Sequence, residues 1–477
     1  MVSFGLIEDW HPRPGRVTSW VPTAASSAAA AAAPTDPVPP SHQQQEYLRS
    51  ARRNAAAGFR FSRLCLLCFD IQGALDVEAM TSAITTFLRR HDTFASWFDL
   101  DDDGSVTRHV LATDDIDVEP AVQGSFDDAE TIRDLVGDHT PGPFDWDCFR
   151  IGTIEWNGGF TVFAAVDHLD TDGISQALTA TELMSLYLNA AFAMNNPLPE
   201  VGSYHDYCRR ERDLSARLTL DSPEVARWLE LVRDNGGRLP SFPLTLGRRD
   251  DDPSDHTRSA IHTAQVFTEP QARAVDEVCR RHGAGFTAAV MSVAALAYAE
   301  FTGSDRYFGL TPKSTRRSAG EMNTIGWFTS LIPVPIEVPT TATFTSIVGA
   351  AQEAFEKGKD LTDVSFHRVL ELATPDSGVH VSPGWSVPMV SYVDVRKLPG
   401  VEMFDAINGA LYGSRGSSEE VFMWVNRFTD VTSVTLLYPD TPEAQNSIKI
   451  YVERLVEILT TIAAQGDYEP GVAALAR

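Results

Sequence analysis

The sequence predicts a mixed α/β protein built as two lobes of similar size. Three observations carry this. Short β-branched and aromatic runs alternate with helical apolar spacing along both halves of the chain. The halves echo each other: a helix pattern closing on Arg89-Arg90-His91 has a counterpart closing on Arg280-Arg281-His282. The 477 residues exceed what one ordinary core serves and set two or three domains as the expectation.

Residues 1–40 read as an arm and a linker. Trp10 and Trp20 surround Pro12, Pro14 and Gly15, an extended piece that tucks aromatics onto the body. Residues 22–40 are rich in Ala, Pro and Ser and read as a flexible or surface-hugging linker. Residues 41–245 form the first lobe. Ser41 with Gln44 makes a capping box for a helix towards Ala57. A strand at 64–71, a helix at 77–91 and strands at 93–98 and 106–111 follow. Next come a short helix at 130–136 and a hairpin of 148–155 with 160–166 across Trp156-Asn157-Gly158-Gly159. A helix at 222–233 leads into a Gly-, Pro- and Asp-rich connector at 234–258. Residues 246–477 form the second lobe. Its strands are expected at 262–267, 307–310, 329–336, 389–395, 421–428 and 433–438, and its helices at 270–282, 286–301, 344–357 and 442–464. A cleft between two such lobes would be a natural ligand site.

A net charge of -26 argues against a nucleic-acid partner and against anionic membrane surfaces as the main driver of binding. Five scattered cysteines do not make a disulfide framework, and Cys65-Leu-Leu-Cys68 sits inside an apolar strand pattern as a pair of small buried hydrophobes. With no apolar signal region near the start and no apolar helix long enough to span a bilayer, the expected compartment is the cytoplasm.

The chemistry concentrates at 159–192. A buried strand pattern, Phe160 to Val166, hands over to Asp167-His168-Leu169-Asp170-Thr171-Asp172-Gly173 and then to a long helix. Loops at such junctions carry function on a rigid frame. Calcium fits poorly, since the first ligand would be His168 and the twelfth position is Thr179. Zinc lacks further ligands at suitable spacing. Two readings stay open: a capped helix start, with Asp170 or Thr171 as the cap, or a general-base histidine with Asp172 turned away to hold the loop.

Asp167-His168-x-x-x-Asp172-Gly173 resembles the His-His-x-x-x-Asp-Gly signature of the condensation-domain superfamily, with Asp167 in place of the first histidine. Val38 to Leu48, Leu88 to Phe98, and Ser314-Thr-Arg316-Arg317 with Gly326-Trp-Phe-Thr-Ser-Leu-Ile-Pro333 are similar to other family segments. Ile7 to Trp20, Phe144 to Phe149 and Phe242 to Gly247 resemble the polyketide-associated (Pap) acyltransferases of mycobacteria, the trehalose-acylating branch above all. The Asp-Phe-Gly-Trp-Gly motif of peptide-forming members is missing; Met423-Trp-Val-Asn-Arg-Phe428 occupies its region.

The resemblance implies two chloramphenicol-acetyltransferase-like lobes, arranged as a V-shaped pseudo-dimer with a central tunnel. It implies transfer of a fatty or polyketide acyl group from a thioester, acyl-CoA or bound to a polyketide synthase, to a hydroxyl of trehalose or a trehalose glycolipid. His168 would be the catalytic base. Asp172 would pair with Arg316, Arg317 being the fallback, and Gly173 would open the helix. Asp167, Trp424 and Asn426 are cleft candidates, with core packing or ladder pairing the plainer role for the last two. No cofactor or metal is implied beyond the thioester co-substrate. The protein is expected to be a monomer, with a lipid exporter or the inner face of the cell membrane as a peripheral partner. No Gly-x-Ser-x-Gly elbow occurs, so direct attack on the thioester is expected rather than a serine acyl-enzyme. Amide formation by a stand-alone condensation domain, and a non-catalytic docking module of the same fold, are the competing functions.

Overall fold

Gly159–Asp167 shows no in–out alternation; every residue of it is buried. Such a strand belongs in the middle of a sheet covered on both faces. In the computed structural model, which describes residues 3–58, 63–247, 257–381, 388–416 and 418–470, it does. It is the fourth of seven strands, in the order Ser3–Leu6, Ala410–Gly413, Leu64–Gln72, Gly159–Asp167, Phe149–Trp156, Gly15–Pro22, Val118–Phe126. The first pair is parallel and the others are antiparallel. The helices Val77–Arg90 and Gly173–Phe192 contribute Phe87, Leu88, Ala180, Leu183 and Tyr187 to a core shared with Phe69, Phe149 and Val162.

The chain divides into two compact units, each discontinuous in sequence. One comprises Met1–Asp213, Arg316–Phe328 and Lys397–Gly416; the other Leu214–Thr315, Thr329–Arg396 and Ser417–Arg477. The first unit therefore ends its long stretch at Asp213 rather than near residue 245, and it takes in two pieces of the later chain. The second unit has a four-stranded sheet, ordered Ser259–Thr268, Val431–Pro439, Phe422–Arg427, Met389–Asp394, and a ribbon of Arg306–Ser314 with Thr329–Glu337. Its core is built on the helix Phe286–Thr302, which is apolar on nearly every side and buried accordingly. Among the described residues, no single helix is long and apolar enough to cross a membrane.

The N-terminal stretch differs most from expectation. Residues 15–22 are a strand with Val17, Thr18, Ser19 and Trp20 all buried, inserted between two others. Ala24–Ala31, read as flexible linker, is a helix. Alanine is the strongest helix former, Thr23 Oγ1 accepts the Ser26 N–H at 3.2 Å, and Trp97 donates its indole N–H to the Ala30 carbonyl. The strand Val118–Phe126 and the helix Tyr204–Ala216 were not anticipated at all. Expected elements elsewhere shift by a few residues; 93–98 splits into a 3-10 turn at Asp92–Ala95 and a strand at Ser96–Leu100.

Candidate active site

From Gly159 to Asp172 every residue is buried except His168, which keeps part of its surface open. His168 occupies the turn leaving the central strand. Its N–H donates to the Arg63 carbonyl at 2.8 Å, and Asp170 N–H closes the turn onto the Asp167 carbonyl at 3.0 Å. The cap of the following helix is Asp172, rather than Asp170 or Thr171: its Oδ1 accepts the Ser175 N–H at 2.8 Å. Gly173 is then the first helical residue, and no atom lies within 4 Å of where a Cβ would stand.

Asp172 also binds Arg316. The guanidinium reaches Oδ2 at 2.6 Å and Oδ1 at 3.1 Å, across 144 residues of sequence. Arg316 further donates to Ser175 Oγ and to the carbonyls of Glu321 and Thr324. Its ring-like fork lies over Phe328 at 4.3 Å. The Phe328 N–H meets Asp172 Oδ2 at 3.0 Å, and Ser175 Oγ joins Gly326 through both its N–H and its carbonyl. These contacts fasten residues 316–328 beside the motif loop within the first unit. Glu321 backs the arrangement by receiving Arg210 and the Arg317 N–H. His91 adds to it: Nδ1 accepts the Ile325 N–H, which assigns its proton to Nε2, opposite Glu182.

The imidazole of His168 lies against the indole of Trp327, with ring centroids 4.2 Å apart, and Tyr47 packs its edge on the same indole. Burial pushes the His168 pKa down to about 4, and the positive charge of Arg63 adds to that. The Asp172 charge and the carbonyls of His168 and Thr171 pull the other way and lose. Nδ1 is buried and makes no hydrogen bond of normal geometry. The ring is therefore a neutral base at physiological pH, by a wider margin than its ordinary pKa near 6.5 provides.

Asp167 does not face solvent. It is fully buried, accepts the Leu169 N–H at 3.0 Å, and is bonded to Tyr47, whose hydroxyl in turn accepts the Arg63 N–H at 3.0 Å. Asp170 points to the opposite side of the loop. Thr93 Oγ1 donates to its Oδ1 at 2.7 Å and Cys148 Sγ lies 3.1 Å from its Oδ2. Burial raises the Asp170 pKa to about 6, against the lowering effect of these two bonds and of Arg108. Trp424 and Asn426 stand in the second unit on Phe422–Arg427. Trp424 stacks near Phe422, Asn426 is buried, and the two register with Thr435 and Ser433 in the ladder. Arg317 is exposed and is not the partner of Asp172.

Sequence reasoning placed His168, Asp172 and Arg316 and gave no role to Trp327, Tyr47, Arg63 or Ser175. Ser175 follows the motif glycine by two residues and Trp327 lies inside the quoted Gly326-Trp-Phe segment, so both were within reach. Tyr47 and Arg63 carry no local signal; only the tertiary fold brings them to the motif.

The condensation-domain family model matches residues 64–383. The chain is 36% identical to 2'-acyl-2-O-sulfo-trehalose (hydroxy)phthioceranyltransferase PapA1 of Mycobacterium tuberculosis, over 98% of this chain and 90% of that protein. It is 37% identical to trehalose-2-sulfate acyltransferase PapA2 of Mycobacterium tuberculosis, over 96% of this chain and 97% of that one. A solved structure described as PapA2 acyl transferase superposes with a TM-score of 0.88 at 36% identity, covering 97% of this chain and 99% of the other. The first condensation domain of the calcium-dependent antibiotic synthetase shares the fold, with a TM-score of 0.67 at 17% identity.

Proposed function

The chain belongs to the condensation-domain family and, within it, to the Pap acyltransferases, and from that membership we propose that it moves a long acyl group from a thioester to a hydroxyl of trehalose or a trehalose-based glycolipid, with His168 as general base. The carrying observation is the neutral His168 imidazole, partly exposed on an otherwise buried loop that Asp172 and Arg316 hold in place. The names of the relatives, which specify trehalose bearing a sulfate, support a sugar acceptor of that kind.

Since Nδ1 is buried, Nε2 is the nitrogen assigned to the substrate. Nε2 takes the proton of the acceptor hydroxyl as its oxygen attacks the thioester carbonyl. The tetrahedral intermediate collapses, the C–S bond breaks, and the imidazolium returns the proton to the sulfur. A histidine with a pKa of about 4 is a weak base, so it gains from a water-poor site in which the developing oxyanion stabilises the imidazolium. Asp172 does not relay protons; both its oxygens are committed to Arg316 and to backbone N–H groups. Acyl-CoA or a carrier-bound chain would serve as donor.

The test is ester formation from a long-chain acyl-CoA with trehalose and trehalose-2-sulfate as parallel acceptors, and an amine offered beside them. Ester as the product supports the reading. Amide as the main product favours the condensation-domain alternative, and an unreduced rate in His168→Ala removes the base.

A further inference from the structure

Arg63 and His168 stand opposite each other. Leu64 pairs with Asp167 in the antiparallel ladder of Leu64–Gln72 and Gly159–Asp167, and the 2.8 Å bond from the His168 N–H to the Arg63 carbonyl carries the pairing one step further. Directly opposed residues of an antiparallel pair project to the same face, with Cβ atoms about 4.5–5.5 Å apart. Leu64 to Asp70 and Gly159 to Asp172 are otherwise buried, whereas Arg63 and His168 are both partly exposed. The Arg63 side chain runs along the backbone at Gly416, where a Cβ would stand 3.5 Å from its Nε. Ser414 ties that backbone to the strand: its Oγ accepts the Leu64 N–H at 2.8 Å, and its own N–H meets the Leu64 carbonyl at 2.9 Å. All of these residues belong to the first unit.

A cation in that place works against the base. When His168 takes a proton, two like charges face each other across the ladder; after burial, the Arg63 charge is the largest influence already opposing protonation. Asp167 does not cancel it: its carboxylate attracts Arg63, yet burial still lowers the Arg63 pKa. Arg316 and Arg210 are committed to Asp172 and Glu321. An anion on the acceptor would meet at Arg63 a guanidinium fork suited to tetrahedral oxyanions, and it would remove the repulsion as the proton moves. The acyl donor does not bring that anion, since the whole pantetheine arm separates the phosphates of an acyl-CoA from its sulfur. A sulfate ester carries one charge and matches one arginine. A phosphate monoester, at about -1.5 to -2 near pH 7, would leave surplus negative charge on a chain that already carries -26.

We propose that Arg63 binds a sulfate ester on the acceptor sugar and so selects that acceptor over the neutral sugar. This assignment rests on the acyltransferase reading of His168 and adds the feature of the acceptor that the site recognises.

The experiment measures kcat and KM for ester formation from palmitoyl-CoA with trehalose and with trehalose-2-sulfate. Wild type is compared with Arg63→Gln, Arg63→Lys and a surface-charge control, Arg209→Gln, whose side chain is half exposed and paired with Asp206. Each protein is checked for native melting. Wild type should favour the sulfated acceptor in kcat/KM by roughly tenfold or more, the scale of a desolvated charge pair. Arg63→Gln should lose most of that preference, Arg63→Lys should keep part of it, and Arg209→Gln all of it. Should Arg63→Gln melt early, the wild-type pH profile decides. The acid limb of kcat, which reports the substrate complex, should stand at higher pH with trehalose-2-sulfate than with trehalose, because the bound sulfate offsets the Arg63 charge; coincident limbs overturn the assignment. So does wild type without a preference, or a natively folded Arg63→Gln that keeps it. Equal losses on both acceptors in Arg63→Gln would make Arg63 an oxyanion donor instead, and all these outcomes leave ester formation standing. No ester from either acceptor overturns the acyltransferase reading and the assignment with it.

Discussion

Arg316 grips both carboxylate oxygens of Asp172, at 2.6 and 3.1 Å, four positions beyond His168. The Arg316 side chain is wholly buried and that of Asp172 nearly so. Removing one partner strands a charge that water cannot reach. Asp172→Ala and Arg316→Ala should each lower unfolding free energy by about 3–5 kcal/mol. The double variant should lose clearly less than the sum. Urea unfolding of the three variants checks this; additive losses would show that the two residues act apart.

His168→Ala should lower the rate of ester formation by roughly 10²- to 10⁴-fold, the usual worth of a general base. Near pH 7.5 the imidazole is neutral in both folded and unfolded chains, so the unfolding free energy of the variant should fall only by the packing the ring makes against Trp327. A rate loss that followed a loss of fold would make the histidine a packing residue.

The Trp327 indole lies against the imidazole, with ring centroids 4.2 Å apart, and contributes to its burial. With the His168 pKa at about 4, kcat/KM should show no acid limb from His168 between pH 5.5 and 8. Trp327→Ala admits water, and its acid limb should appear and move towards the ordinary value near 6.5. Trp327→Phe should stay close to wild type. A pH–rate profile of the three proteins reads this, and an unmoved limb in Trp327→Ala would assign the desolvation to other residues.

Asp170 and His168 should have opposite effects on stability over the same pH range. Burial raises Asp170 from 3.8 to about 6, so between those values the folded chain holds the extra proton, and raising the pH destabilises it. For His168, lowered from 6.5 to about 4, the unfolded chain holds the extra proton, and raising the pH stabilises the fold. At 1.36 kcal/mol per pKa unit each effect is on the order of 3 kcal/mol, and in wild type they largely cancel. Relative to wild type, Asp170→Asn should gain stability as pH rises from 4 to 6, and His168→Ala should lose it. Denaturation at pH 4.5, 5.5 and 6.5 gives the two slopes; parallel curves would sink the assignment.

All five cysteines are free and buried, and burial raises the thiol pKa of Cys65, Cys68 and Cys279 to about 12, with Cys148 and Cys208 also raised. A thiol-disulfide reagent at pH 8 should therefore find almost no reactive sulfur in the native protein and five in urea. A rapid native reaction would expose a thiol placed here in the interior.

The motif junction was legible because a short continuous apolar run gives way to helical spacing within a few residues. The Arg316 pairing was legible only through family resemblance; nothing local links positions 144 apart. Val118–Phe126 escaped notice because Pro120 and Gly124 break its pattern and much of it is exposed. Tyr204–Ala216 escaped because its charged residues outnumber the few that face the core; Tyr204, Tyr207 and Cys208 are buried with Phe328, and ion pairs and hydrogen bonds to Glu321, Pro40 and Asp92 add to that. The alanine tract was misread from composition. Alanine suits a linker and a helix alike, and the Thr23 cap and the Trp97 contact decide for the helix.

Residues 316–328 complete the surroundings of His168, yet a ribosome makes them about a hundred residues after Asp213. A nascent chain can assemble most of the seven-stranded sheet early, but Asp172 waits with an unmatched charge, and Ala410–Gly413 is later still. Activity thus waits until residues 316–328 have been made, and a message cut short before residue 316 yields no half-working enzyme.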